Sequence, residues 1–176
     1  EPGRGCGAAG RSRRVAGGLL LGGPATRDGE GGGEGGAEGD AVDGDYGVGG
    51  FGGLQELPNL NKPVIAAVQG ICCGGGLELA LSADLILCSS NATFALPEIR
   101  SGTVADAASI KLPKRIPYHV AMDLLLTGRW LDAEEALRWG IVKEITTQAD
   151  LLAKAIDFHR DAGDDRAKHL GRPAHR

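Results

Sequence analysis

A regular apolar pattern begins only in the second third of the chain. Leu54, Leu57 and Leu60 recur at roughly helical spacing ahead of Lys62 and Pro63, where the proline marks a boundary, so a short helix or turn is predicted there. Residues 64–71 are apolar on both alternating faces apart from Gln69 and Gly70, the pattern of a central strand covered on both sides in a parallel sheet. Gly74, Gly75 and Gly76 end that strand. Residues 77–84 then place Leu77, Ala80, Leu81 and Asp84 at helical spacings. Residues 85–88 read as the next buried strand, 89–91 as a turn, and 92–96 as an extended piece before Pro97. Strand, glycine turn and helix are the first part of a βαβ unit.

Further on, residues 120–126 and 132–139 read as two helices, the first closed by Gly128, the second capped by Asp132 and closed by Gly140. Residues 141–146 are a predicted strand and 149–158 another helix, after which the sequence turns polar from His159. Strands alternating with helices make the fold class α/β.

The first third reads differently. Of the 30 glycines, 21 lie within residues 1–53, and through residue 40 neither period 2 nor period 3.6 is visible. Such a composition offers too little apolar surface to offset the entropy of ordering glycine, so disorder is predicted for residues 1–45. A core over residues 46–158 and a polar tail over 159–176 complete the expected organisation. Residues 12–25 have a basic start and a short apolar stretch, but glycine pairs interrupt it, which disfavours an export signal.

The chain has 176 residues and 42% hydrophobic content, enough for one domain. A formal charge of -4 and the lack of a basic stripe argue against nucleic acid as a partner. No apolar run approaches the roughly 20 residues that cross a bilayer, so no membrane role is expected. Cys6, Cys72, Cys73 and Cys88 lack C-x-x-C spacing and histidines at zinc-ligand distance, so no metal site is predicted and reduced, buried thiols are expected. His119 has no acid or nucleophile at a recognisable spacing and reads as structural.

The chemistry concentrates at the glycine turn. N–H groups at a helix start have no intrahelical partner and point along the positive end of the helix dipole, so Gly75 or Gly76 can approach an anion closely. Glu78, three residues after Gly75, shares its helical face, and Leu77 and Leu79 beside it favour partial desolvation. A second carboxylate, Glu98, follows twenty residues later at a predicted strand end or loop. Taken singly, a triple glycine is often only a tight turn and a first-turn glutamate often only complements the dipole. Phosphate-binding alternatives fail, since the glycines are followed by Leu-Glu, with neither Lys-Ser/Thr nor G-x-G-x-x-G.

Six ordered motifs carry a resemblance: Lys62-Pro-Val-Ile-Ala-Ala-Val-Gln-Gly, Gly74-Gly-Gly-Leu-Glu-Leu-Ala, Ala83-Asp84, Phe94-Ala-Leu-Pro-Glu98, Leu125-Leu-Thr-Gly-Arg129 and Ala133-Glu-Glu-Ala-Leu-Arg-Trp-Gly-Ile-Val142. Together, over about residues 40–156, they resemble the enoyl-CoA hydratase/isomerase (crotonase) family, and most closely its carnitinyl-CoA dehydratase-like branch. The resemblance implies a crotonase-like spiral of ββα units acting on acyl-CoA thioesters, as a homotrimer or hexamer in the cytoplasm. It implies no cofactor, coenzyme A being the carrier of the substrate.

In residues, the resemblance implies Glu78 and Glu98 as the acid/base pair and Gly75 as one oxyanion donor, with substrate-binding positions at Gly74, Gly76 and Gly102. Asp106 matches a position that is acidic and catalytic in some branches; it is either a third polar group of the pocket or the cap of a helix beginning nearby. The loop there reads Ala105-Asp-Ala-Ala-Ser109 where the family often has Pro-Asp-Ser-Gly-Gly. Residues 1–40 show nothing like the family's Phe-Ser-Ala-Gly-x-Asp-Leu segment, which supplies the second oxyanion donor, and they resemble a coding region read in the wrong frame. Two function classes follow: an acyl-CoA hydratase/dehydratase, or an inactive, truncated crotonase-fold fragment or accessory subunit.

Overall fold

The computed structural model describes residues 13–15, 18–21, 48–50, 53–60 and 62–170, with only the backbone described in 13–15, 18–21 and 162–170. Along the chain these form β1 (Arg13–Val15), β2 (Gly18–Leu21), β3 (Ile65–Val68), β4 (Ile71–Cys73) and α1 (Gly75–Ala80). There follow β5 (Leu85–Ser89), β6 (Thr93–Ala95), α2 (Glu98–Ser101), α3 (Asp106–Lys111) and a 3-10 turn over Leu112–Lys114. The last elements are α4 (Tyr118–Thr127), β7 (Trp130–Asp132), α5 (Ala133–Trp139), β8 (Glu144–Thr146) and α6 (Leu151–Leu170).

Two sheets result. One has the order β1-β2-β3-β5-β8, parallel apart from the β1–β2 hairpin; the other has the order β4-β6-β7, with β4 and β6 parallel and β7 antiparallel. Each strand–strand–helix unit therefore contributes one strand to each sheet, as β3-β4-α1 and again as β5-β6-α2, the ββα spiral of the crotonase fold.

The single strand predicted over 64–71 divides at Gln69 and Gly70, where the chain leaves one sheet for the other. Its neighbour turns at the matching place, and the two corners are tied: Thr93 N donates to Gly70 O at 3.2 Å, and Asn91 Nδ2 donates to Gln69 O at 3.4 Å. A polar residue and a glycine interrupt an otherwise apolar run where the backbone must bend. The β3 half is central, as predicted, and all four of its residues are buried.

Alternation along β3 feeds two cores. Ala66 and Val68 join the main cluster around Phe94, Leu77 and Leu112, whereas Ile65 and Ala67 pack with Leu87, Leu151 and Ala155 beneath α6. The helix predicted over 77–84 is displaced to Gly75–Ala80, and residues 54–60 form turns, with Leu54 against the core and Leu57 and Leu60 exposed. The helix expected to end near residue 158 runs on to Leu170.

Within the expected disordered stretch, β1 and β2 are strands, and β2 lies parallel beside β3. The remainder of residues 1–45, and residues 171–176 of the expected tail, lie outside the described residues. Among the described residues, no helix is long and apolar enough to cross a membrane.

Local chemistry sets the helix ends as predicted. Asp132 caps α5 by accepting from Glu135 N at 2.8 Å, and Gly128 and Gly140 close α4 and α5 in the left-handed conformation. Arg129 joins the two helices, donating to both carboxylate oxygens of Glu135 at 2.9 and 2.7 Å and to Asp123.

Gly128 also has little room for a side chain. With φ +58, a Cβ there would meet Ile99 Cγ2 at 3.2 Å and Leu96 O at 3.3 Å, on the segment that carries Glu98. Gly128→Ala is expected to lower stability by about 1–2 kcal/mol through its backbone conformation alone. Urea denaturation of the two proteins checks this; equal midpoints would show that the turn relaxes freely.

Candidate active site

The site is built by parallel pairing. β4 and β6 run side by side with Cys73 opposite Ala95, so both chains leave the sheet at the same end, and ligands of parallel sheets sit outside such carboxyl ends. Gly74 N extends the ladder one step, donating to Ala95 O at 3.0 Å. From that point one chain enters α1, with Glu78 in its first turn, and the other passes Pro97 into α2, with Glu98 as its first residue. Two carboxylates twenty residues apart in sequence are thereby brought to one glycine turn.

Gly74 must be glycine for two reasons. Its φ of 54 and ψ of -131 suit no L side chain, and a Cβ would lie 3.0 Å from Glu98 Oε1. Glycine thus lets the Glu98 carboxyl lie directly over the backbone. Gly75 and Gly76 are the first two residues of α1, so their N–H groups have no intrahelical acceptor. Gly74 O accepts from Leu77 N and Glu78 N at 2.9 and 3.0 Å, which fixes the first turn.

Glu78 is 7% exposed, and its Oε1 accepts a hydrogen bond from Ala108 N at 3.0 Å. The donor belongs to the first turn of α3, where amides are otherwise unpaired. A buried carboxylate is tolerable only with such a partner.

Glu98 is held differently. Its Oε2 is buried with no hydrogen-bond partner, and burial pushes its carboxyl pKa above the ordinary value, opposed by its own backbone amide and reinforced by the Glu78 charge. A neighbouring carboxylate disfavours the charged form of a half-buried carboxyl. Glu78 is anchored by a backbone amide, whereas Glu98 has one buried oxygen without a partner.

Of the residues singled out in the sequence, Gly74, Gly75, Gly76, Glu78 and Glu98 meet here. Asp106 does not cap α3: it is the exposed first helical residue, the N-cap is Ala105, and no side chain caps that end. Gly102 closes α2 in the left-handed conformation with φ 73, its N–H donating to Glu98 O, so it fixes the main chain of Glu98. His119 is exposed, with its ring against the edge of Tyr118. Cys72 and Cys88 are free and buried, and burial pushes each thiol up to about 12, which suits packing. Cys73 is disulfide-bonded, a departure from the all-thiol expectation, and Cys6 lies outside the described residues. Ala108 escaped the sequence reading because a backbone donor on an alanine leaves no side-chain signal.

The ββα units and the glycine turn between two parallel strand ends define a crotonase-fold protein. The enoyl-CoA hydratase/isomerase profile matches residues 29–170, and the chain belongs to that family. It is 52% identical over 120 residues to a carnitinyl-CoA dehydratase of Proteus mirabilis (strain HI4320), covering 68% of this chain and 46% of that protein. Among solved structures, it is similar to an enoyl-CoA hydratase of Mycobacterium tuberculosis H37Rv, with TM-score 0.60, 42% identity, and coverage of 63% of this chain and 44% of that one. A carnitinyl-CoA hydratase of Mycobacterium avium aligns with TM-score 0.64 and 35% identity, over 68% of this chain and 46% of that one. The chain spans a little under half the length of the curated relatives it matches.

The raised pKa of Glu98 has a consequence for stability. The folded state holds this proton more tightly than the unfolded chain does, so the group's contribution is fully present below the ordinary carboxyl value of 4.5 and is lost as pH rises through the folded value. Glu98→Gln is therefore expected to raise Tm at neutral pH, with the gain vanishing in acid. Thermal melts across pH check this, and a gain that grew toward acid would reverse the sign.

Proposed function

We propose that the chain carries the acid/base pair and one oxyanion donor of an acyl-CoA hydratase/dehydratase, working on a 2-enoyl-CoA thioester. The observation that carries the reading is the pairing, at one glycine turn, of a buried Glu78 anchored by a backbone amide with Glu98, whose carboxyl has one buried oxygen without a partner and a pKa that burial raises.

In the hydration direction, Glu78 takes a proton from water as the water oxygen bonds to the β carbon. The electron pair of the double bond moves into the thioester, and the Gly75 N–H meets the charge on the enolate oxygen. One donor of this kind is commonly worth about 3 kcal/mol. Glu98 then gives its proton to the α carbon, and return of a proton from Glu78 to Glu98 resets the pair. Dehydration runs the same steps backwards. The acid of the pair is the residue whose pKa burial raises, the direction that general acid catalysis favours.

The names of the similar proteins extend the reading to a carnitinyl-CoA substrate. The family resemblance extends it to a homotrimer or hexamer in the cytoplasm, with Gly76 and Gly102 backing the bound thioester. A second reading is a crotonase-fold piece or accessory subunit that keeps half of the site without turnover.

Hydration of crotonyl-CoA by the purified chain, followed by loss of enoyl absorbance, separates the two. On the first reading wild type turns over, and Glu98→Gln and Glu78→Gln each lower kcat by roughly 10²–10⁴-fold. Absence of both turnover and thioester binding would establish the second reading.

A further inference from the structure

Among the described residues, the Glu78 carboxylate accepts from one amide, Ala108 N, whose position depends on how α3 lies against α1. One helical turn along, a second contact joins the same two segments. Lys111 Nζ donates to Ser82 Oγ at 2.6 Å and to Gln55 O at 3.2 Å, and Ser82 Oγ donates to Glu78 O at 2.9 Å. Glu78 and Ser82 are four residues apart on one side, Ala108 and Lys111 three apart on the other, so the contacts form two rungs between facing helical surfaces. The serine hydroxyl, with one donor and two acceptor sites, serves both neighbours at once.

We propose that Lys111 is a positioning residue for Glu78: by fastening the far end of α3 to Ser82 and Gln55 it holds the Ala108 N–H against the carboxylate. Its ammonium is half-buried, which a lysine sustains only with good acceptors, and here these are a hydroxyl and a backbone carbonyl rather than a carboxylate. The charged groups acting on it are Arg115 from the adjoining turn, Glu78 from α1 and Glu56 from the preceding loop. Burial and Arg115 push its pKa down, while Glu78 and Glu56 oppose this. The clamp therefore faces the same carboxylate that it helps to place. A surface lysine would make neither contact, and a purely apolar residue would leave the Ser82 hydroxyl and Gln55 O without their donor.

Insofar as this concerns turnover it rests on the hydratase reading, but the test does not. In the full chain labelled with nitrogen-15, the Ala108 amide proton shift reports ionisation of the carboxylate it touches. It is expected to move with pH in wild type and to stop moving in Glu78→Gln. In Lys111→Met and in Ser82→Ala the movement is expected to fall by at least half, and in Lys111→Arg to persist, while the Val68 amide in β3 keeps its wild-type shift throughout. If Lys111→Met does not fold, Ser82→Ala decides alone. An Ala108 amide that ignores pH in wild type, or one that moves fully in folded Lys111→Met or Ser82→Ala, overturns the proposal. Where the chain hydrates crotonyl-CoA, kcat is expected to fall ~10-fold in Lys111→Met with KM unchanged, the pattern of a misplaced group. A wild type without turnover sinks the hydratase reading and leaves the amide titration to decide Lys111.

Discussion

Everything at the site depends on the parallel pairing of β4 with β6 and its extension by one hydrogen bond, from Gly74 N to Ala95 O. That bond brings the ends of two strands together at a residue without a side chain. A parallel pair needs a crossover of a dozen residues or more, and here the crossover is α1, the turn after it and β5. Each carboxylate is placed by the helix next after its strand: α1, whose first turn holds Glu78, and α2, which begins with Glu98 directly after Pro97. Any residue other than glycine at position 74 would be strained and would displace Glu98. The constraint is therefore steric before it is electrostatic.

The electrostatic consequence comes from the unequal treatment of the two acids. A carboxylate taken from water costs several kcal/mol unless protein donors replace the lost hydration. For Glu78 the Ala108 amide does so; for Glu98 one oxygen has no partner, and burial raises its pKa. The rest of the fold supports this difference. α3 supplies the amide, Lys111 and Ser82 fasten α3, and the close packing of Gly128 against Leu96 and Ile99 holds the Glu98 segment from behind. Two chemically identical groups are thereby placed in unlike surroundings.

What the sequence discloses and what it hides divide along local and non-local lines. The cap at Asp132 and the left-handed glycines 128 and 140 were legible because their chemistry involves only a few neighbouring residues. The glycine turn with Glu78 and Glu98 was legible as a motif, and its order in the chain pointed to the crotonase fold. The break between β3 and β4 was hidden because the apolar run continues through the corner, with only Gln69 and Gly70 to mark a change of sheet. β1 and β2 were hidden among glycine pairs, since pairing of β2 with β3 and of β1 with β2, rather than propensity, makes them strands. Ala108 and Lys111 were hidden for the same reason, their partners lying 30 and 29 residues away. Of the two readings of Asp106, the cap fails because the helix begins at it rather than after it.

Glu78 and Glu98 meet at one half-buried site that holds the pKa of Glu98 above its ordinary value. Carbon-13 NMR of the glutamate carboxyls tests this most directly, with Glu98 assigned by comparison with Glu98→Gln and then titrated in wild type and in Glu78→Gln. The account predicts that Glu98 titrates above the ordinary value of 4.5 in wild type, and that its midpoint falls when the Glu78 charge is removed. A midpoint at the ordinary carboxyl value, unmoved in Glu78→Gln, would contradict it.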